Sequence, residues 1–85
     1  MSGEDLLAHA AAVVRDRRHS YGNPAELFER VAVRWSQVLG VKVTAAQVGL
    51  CLLDLKVARL SHDPRHLDSL VDVAGYAACL RELTR

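Results

Sequence analysis

An all-α fold, a four-helix-bundle-like domain completed by oligomerisation, is predicted for this 85-residue chain. Three observations predict it. The apolar residues recur at helical spacing, and no segment alternates as a strand does. Start and stop signals divide the chain into four segments of helical length. Finally, 51% of the residues are hydrophobic, whereas a domain of this size hides only about 60–65% of its unfolded surface. The surplus apolar surface calls for a partner copy of the same chain.

The elements follow in order within a single domain spanning residues 1–85. Ser2 caps a first helix over residues 3–19, with Asp5 three positions on to close a capping box. Leu6, Leu7, Ala10, Ala11, Val13 and Val14 form its apolar stripe, and it runs out in the basic segment before Tyr21-Gly22. A second helix covers 24–39: Asn23 caps, Pro24 takes the first helical position, Glu26 completes the box and Gly40 ends it. Leu27, Phe28, Val31, Ala32, Trp35, Val38 and Leu39 recur along it at core spacing. Val41-Lys42-Val43 is a short extended link. Thr44 and Gln47 then open a third helix over 44–60. Its two apolar stripes, Val48, Cys51, Leu52, Leu55 and Leu50, Leu53, Val57, Leu60, predict that it is the central helix. The loop SHDPRH leads to a fourth helix over 67–83.

Composition excludes several functions. With a net charge of +1 the chain has no general electrostatic attraction to nucleic acid. Asp54, Lys56 and Arg59 interrupt the longest apolar stretch, so no membrane span is expected. The N-terminus opens on acids and not on a basic segment, so it does not read as a secretory signal, and a reducing, cytoplasmic setting follows. Cys51 and Cys79, among apolar neighbours, are expected to be buried free thiols. No nucleophile sits in a recognisable motif, and a glycine-rich phosphate loop is absent from the sequence.

The chemistry-bearing residues converge on the last two helices. Asp68 and Asp72 fall one turn apart on one face of the fourth helix, and Gly75 and Cys79 continue that stripe with small side chains. Two such carboxylates suit Mg²⁺, which takes oxygen ligands and keeps waters for phosphate oxygens to replace. The alternative is that Asp68 caps its helix while Asp72 pairs with Lys56 or Arg59, since a carboxylate among apolar residues needs an answering cation. Lys56 and Arg59 stand one turn apart on the third helix and suit a phosphate, or else form a solvated edge. Arg65 and His66, in the loop before the acidic helix, read as phosphate-facing or solvated. In RDRRHSYGNP, Tyr21 is placed to stack on a base while Arg17 or Arg18 meets phosphate beside a helix N-terminus. Its alternative is a basic helix end followed by an ordinary turn.

The segments RDRRHSYGNPAELF, RWSQVLG, VTAAQVGLCLLDLKVARL and HLDSLVDVAGYAA together resemble a family of small helical proteins of phages and their actinobacterial hosts. DSLVDVAGYAA is also similar to the last metal-binding helix of the all-α nucleotide pyrophosphohydrolases, the MazG and dimeric dUTPase group. It looks as well like the phage nucleotide-modification-associated domains. The resemblance implies a MazG-like fold, Mg²⁺ as cofactor, and cleavage of a nucleoside triphosphate to monophosphate and pyrophosphate. Asp72 matches the aspartate of that group's second acidic motif, and Asp68 lies one residue upstream of its usual glutamate. Where the first acidic pair belongs, the chain has only Asp54, with Lys56 and Arg59; Glu26 and Glu29 would have to stand in.

The expectation is therefore a homo-oligomeric, MazG-like protein that recognises nucleotide phosphates. Asp68 and Asp72 would bind the metal and act in catalysis; Lys56, Arg59, Arg65, His66, Tyr21 and Arg18 would bind the nucleotide. The rivals are a non-catalytic nucleotide sponge or regulator, placed in the host cytoplasm if phage-encoded, and a purely structural helical module.

Overall fold

Each of the four helices begins on a side chain that satisfies its open amides. In the computed structural model, which describes residues 1–84, Ser2 and Asp5 exchange the reciprocal bonds of a capping box at the start of α1 (Gly3–Tyr21). Asn23 caps α2 (Pro24–Leu39) by accepting from the Ala25 amide at 2.8 Å, so this cap closes on the second residue and not through Glu26. Thr44 and Gln47 form the second capping box, at α3 (Ala45–His62). His66 caps α4 (Leu67–Leu83), its Nδ1 accepting from the Ser69 amide at 3.3 Å. The fold is all-α, with no strand among the described residues.

Two helix ends run beyond the sequence expectation. α1 continues through His19 to Tyr21 and α3 through Leu60 to His62, because neither following pair of residues breaks helical backbone. Gly22 stops α1 at φ +83° while its amide returns to the Arg18 carbonyl at 2.8 Å, and Gly40 stops α2 at φ +72°. Glycine adopts that half of backbone space without steric cost. The Val41–Val43 link is fastened by Ser36, whose Oγ accepts from the Val43 amide at 2.8 Å and donates to the Ala32 carbonyl at 2.7 Å.

The central helix is α4 and not α3. It packs against α1, α2 and α3 alike, and its contact with α3 is the most extensive in the molecule. Sequence patterning could not choose between two helices apolar on most sides. Phe28, Ala32, Ala45 and Val48 form the buried core cluster, with Trp35, Leu52, Tyr76, Cys79 and Leu83 packed against it.

That core is small. Leu50, Leu55 and Val57 of α3 stay 56%, 49% and 44% exposed, so much of the outer side of the expected central helix faces solvent. Cys51 is exposed and only Cys79 is partly buried, which corrects the expectation of two buried thiols; both are free. The Cα radius of gyration is 13.6 Å, whereas an 85-residue domain of average shape would have about 12 Å. None of the described helices is long and apolar enough to cross a membrane.

A candidate ligand cavity at the α1–α2–α4 junction

Asp72 is the buried acid among the described residues. Its side chain is 7% exposed, and Lys56 Nζ from α3 lies 2.9 Å from Oδ2. Lys56 is itself only 13% exposed, its stem covered by the α3–α4 packing. One half of a sequence reading is thereby realised, a cation of α3 answering Asp72, whereas the cap it expected of Asp68 is made by His66. Arg59 does not take part. It lies exposed on α3, where its carbonyl accepts the capping amide of Asp63.

The second oxygen of Asp72 has a different environment. Oδ1 is buried and accepts no hydrogen bond. The nearest cation is Arg17 of α1, with Nη1 3.6 Å away, within ion-pair range but too far for a hydrogen bond. A buried carboxylate oxygen without a donor costs free energy, so this atom is a standing attraction for any N–H or O–H group that reaches it.

Asp72 also lines a cavity of about 370 Å³. Its walls are apolar, from Val14, Phe28, Leu52 and Val71, with Tyr21 and Tyr76 adding aromatic surface. At Gly75 a methyl would stand 3.8 Å from Val14 Cγ2, in ordinary van der Waals contact, so the α1–α4 crossing has room for one. Arg17 and Arg18, 56% and 52% exposed, line it together with the 71%-exposed Tyr21. Arg18 also reaches Glu82 at 3.5 Å. Pro24 brings the first turn of α2 to the cavity, and with it the positive end of that helix's dipole. Cys79 faces the same space, and burial raises its thiol pKa, with Arg17 and Arg18 pulling the other way.

The remaining expected site residues fall elsewhere. Asp68 is exposed on the first turn of α4, while Asp72 one turn on is buried, so their shared face does not give them a shared environment. His66 is committed to its helix cap, with Ser69 Oγ 2.7 Å from Nδ1. Arg65 is exposed, and its amide closes a turn onto Asp63 Oδ1 at 3.0 Å. Lys56, Arg59, Arg65 and His66 are absent from the cavity lining, whereas Arg18 and Tyr21 belong to it. Arg17 carries the greater role than Arg18 towards Asp72, and Tyr76 was not singled out from the sequence. Its spacing of four from Asp72 is the signal that would have found it.

The donor set does not fit Mg²⁺. The Asp72 carboxylate is held by Lys56 and faced by Arg17, so a divalent cation would have to displace one positive charge and sit beside another. Asp68 lies out in solvent, and among the described residues no three His, Cys, Asp or Glu side chains gather where a metal could be held.

The chain is similar to phage proteins along nearly its whole length. Residues 5–84 match the family described as Domain of unknown function (DUF6378). The chain is 31% identical over 81 residues to the Gene 55 protein of Mycobacterium phage D29, covering 94% of this chain and 54% of that protein. It is 34% identical over 80 residues to the Gene 55 protein of Mycobacterium phage L5, covering 92% of this chain and 51% of that one. It thus spans about half the length of these phage proteins. No solved structure matches. With nearly its whole length covered, the chain belongs to the DUF6378 family.

Proposed function

We propose that this chain is a non-catalytic nucleotide-binding protein, a sponge or regulator with a MazG-like helical arrangement, whose ligand occupies the α1–α2–α4 cavity. One observation carries the reading: the cavity joins a buried acceptor to two half-exposed cations, the nearer of which, Arg17, stands 3.6 Å from Asp72 Oδ1. A buried carboxylate with an unused acceptor lies inside, and two arginines with a helix N-terminus lie at the exposed side. Apolar and aromatic walls surround them. A nucleotide has the complementary form, with a flat heterocycle rich in N–H groups at one end and phosphate at the other. The volume falls in the range of small-molecule sites. Hydrolysis is left out because the carboxylate it would need for a metal is already engaged by Lys56.

Arg17→Gln tests the reading. Arg17 is more than half exposed and its contact with the buried Asp72 is long, at 3.6 Å, so the substitution should change stability by no more than about 1 kcal/mol. A charge-assisted bond to phosphate, if lost, weakens binding by about 1.5–3 kcal/mol, or roughly 10- to 150-fold. Isothermal titration calorimetry with nucleoside monophosphates is expected to show that loss in a protein whose melting temperature has barely moved. Wild-type protein that binds no nucleotide would leave the structural-module reading in its place.

The same proposal includes a homodimer through the outer face of α3. Ala46, Leu50, Leu53, Val57 and Leu60 follow one another at intervals of 4, 3, 4 and 3, the spacing of a coiled-coil seam. Leu50 and Val57 on that seam are about half exposed in the single chain. Light scattering at micromolar concentration is expected to give the mass of a dimer, and Val57→Glu the mass of a monomer. A monomeric wild type removes this part of the proposal and leaves the cavity untouched.

A further inference from the structure

Resting on the nucleotide reading above, we infer that the base enters the cavity first, with its donor edge on Asp72 Oδ1, and that the site therefore selects guanine and rejects uracil and thymine. The orientation follows from charge. The Asp72 side chain is more than nine-tenths buried, and phosphate at that depth would confront a carboxylate of its own sign. Arg17 and Arg18 are half exposed, so phosphate beside them meets two cations and keeps part of its hydration.

The base preference follows from hydrogen-bond bookkeeping at the carboxylate. Lys56 fixes Oδ2 from the α3 side, which leaves Oδ1 as the acceptor without a donor. A carboxylate only accepts. Guanine presents two adjacent donors, the ring N1–H and the 2-amino group, with no acceptor between them. Adenine and cytosine present an amino donor next to a ring nitrogen that repels the carboxylate. Uracil and thymine present a single N–H flanked by two carbonyl oxygens, the least favourable edge for an anion. Sites built on such buried polar groups discriminate by what is left unpaired, not by volume. Arg17 lies 3.6 Å from the same Oδ1, so a phosphate that draws the guanidinium outward opens the acceptor to the base.

The test is a calorimetric panel on the wild-type protein: guanosine, inosine, adenosine, cytidine and uridine 5′-monophosphates, and 1-methylguanosine 5′-monophosphate. Guanosine monophosphate is expected to bind at least about tenfold tighter than uridine monophosphate, the equivalent of one well-placed hydrogen bond. Loss of the 2-amino group in the inosine compound, or of N1–H in the methylated one, should each cost several-fold. Asp72→Asn, whose amide can turn its NH₂ towards a carbonyl, should collapse the guanine-to-uracil ratio to near one. The nucleotide-analogue arms need no mutant, so they decide the matter even if Asp72→Asn fails to fold. Equal affinities across the panel, or a uridine preference, overturn the base selection while leaving nucleotide binding in place. Absence of binding for every nucleotide overturns both.

Discussion

Lys56→Met is expected to lower the unfolding free energy by about 3–5 kcal/mol, the cost of leaving a buried charge without its partner. The cation lies 2.9 Å from Asp72 Oδ2, and both side chains are almost wholly covered. Methionine preserves the length and apolar surface of the lysine stem, so the loss reads the charge and not the packing. Without Lys56, Asp72 retains only Arg17 at 3.6 Å, mostly in solvent, which cannot replace the direct contact. A domain of this size has a total stability of roughly 4–13 kcal/mol, so urea denaturation should find the variant close to its limit. Arg59→Met, one turn further along α3, should stay within about 0.5 kcal/mol because Arg59 is exposed. The pair Lys56→Met with Asp72→Leu should recover most of the loss, since two apolar side chains of similar volume strand no charge. A single Lys56→Met variant as stable as the wild type would mean that the ion pair is not a structural element.

Lys56 and Arg17 thus take separate roles towards Asp72. The buried cation holds the carboxylate in place, and its loss is read in stability. The half-exposed cation stands in reach of solvent, and under the proposed function its loss is read in affinity. Under the proposed function, a nucleotide-induced rise in melting temperature is expected even though the Lys56–Asp72 contact is closed, because Oδ1 accepts no hydrogen bond and the pairs of Arg17 and Arg18 are long, at 3.6 and 3.5 Å, with both arginines half exposed.

Much of the helical framework was legible because helix starts are local chemistry. Ser2 with Asp5, Asn23 with Pro24, and Thr44 with Gln47 act within one turn, and each is read off a few neighbouring residues. The Asp72–Lys56 contact was legible as one of two choices, because a charge among leucines and valines needs an answer and only two cations of α3 were in reach. What stayed hidden depends on rotation and packing order. Neighbouring residues on a helix differ by about 100°, which turns Arg17 towards Asp72 and Arg18 towards Glu82. Asp68 and Asp72 share a face, yet burial changes sharply along a single turn where α4 enters the bundle. Both late helices are apolar on most sides, so the pattern could not reveal that α4 takes the middle. His66 went unrecognised as a cap because the usual N-cap residues are Ser, Thr, Asp and Asn.

Gly49→Leu is expected to cost about 3 kcal/mol or more, through overpacking at the α3–α4 contact. Gly49 is buried, and a Cβ placed on it would lie 2.8 Å from Leu80 Cδ2, 3.3 Å from Leu80 Cγ and 3.4 Å from Phe28 Cε2. The first of these distances is shorter than carbon atoms tolerate, but Leu80 Cδ2 is the end of a side chain that can rotate. Gly49→Ala should therefore come out within about 1 kcal/mol of the wild type, the helix-propensity gain of alanine offsetting the crowding. Leucine adds three further carbons in a space bounded by Leu80 and the Phe28 ring. Phe28 belongs both to the core cluster and to the cavity wall. A shift of the Phe28 ring that relieves the crowding moves the cavity wall, and under the proposed function Gly49→Leu should then lose nucleotide affinity without altering a single charge. Adding Leu80→Ala removes the side chain in closest conflict and should recover part of both losses. Because the two residues touch, their effects will not add, and a double-mutant cycle by urea denaturation measures the coupling directly. Additive losses would show that the crowding at Gly49 is relieved by backbone movement elsewhere and not at Leu80.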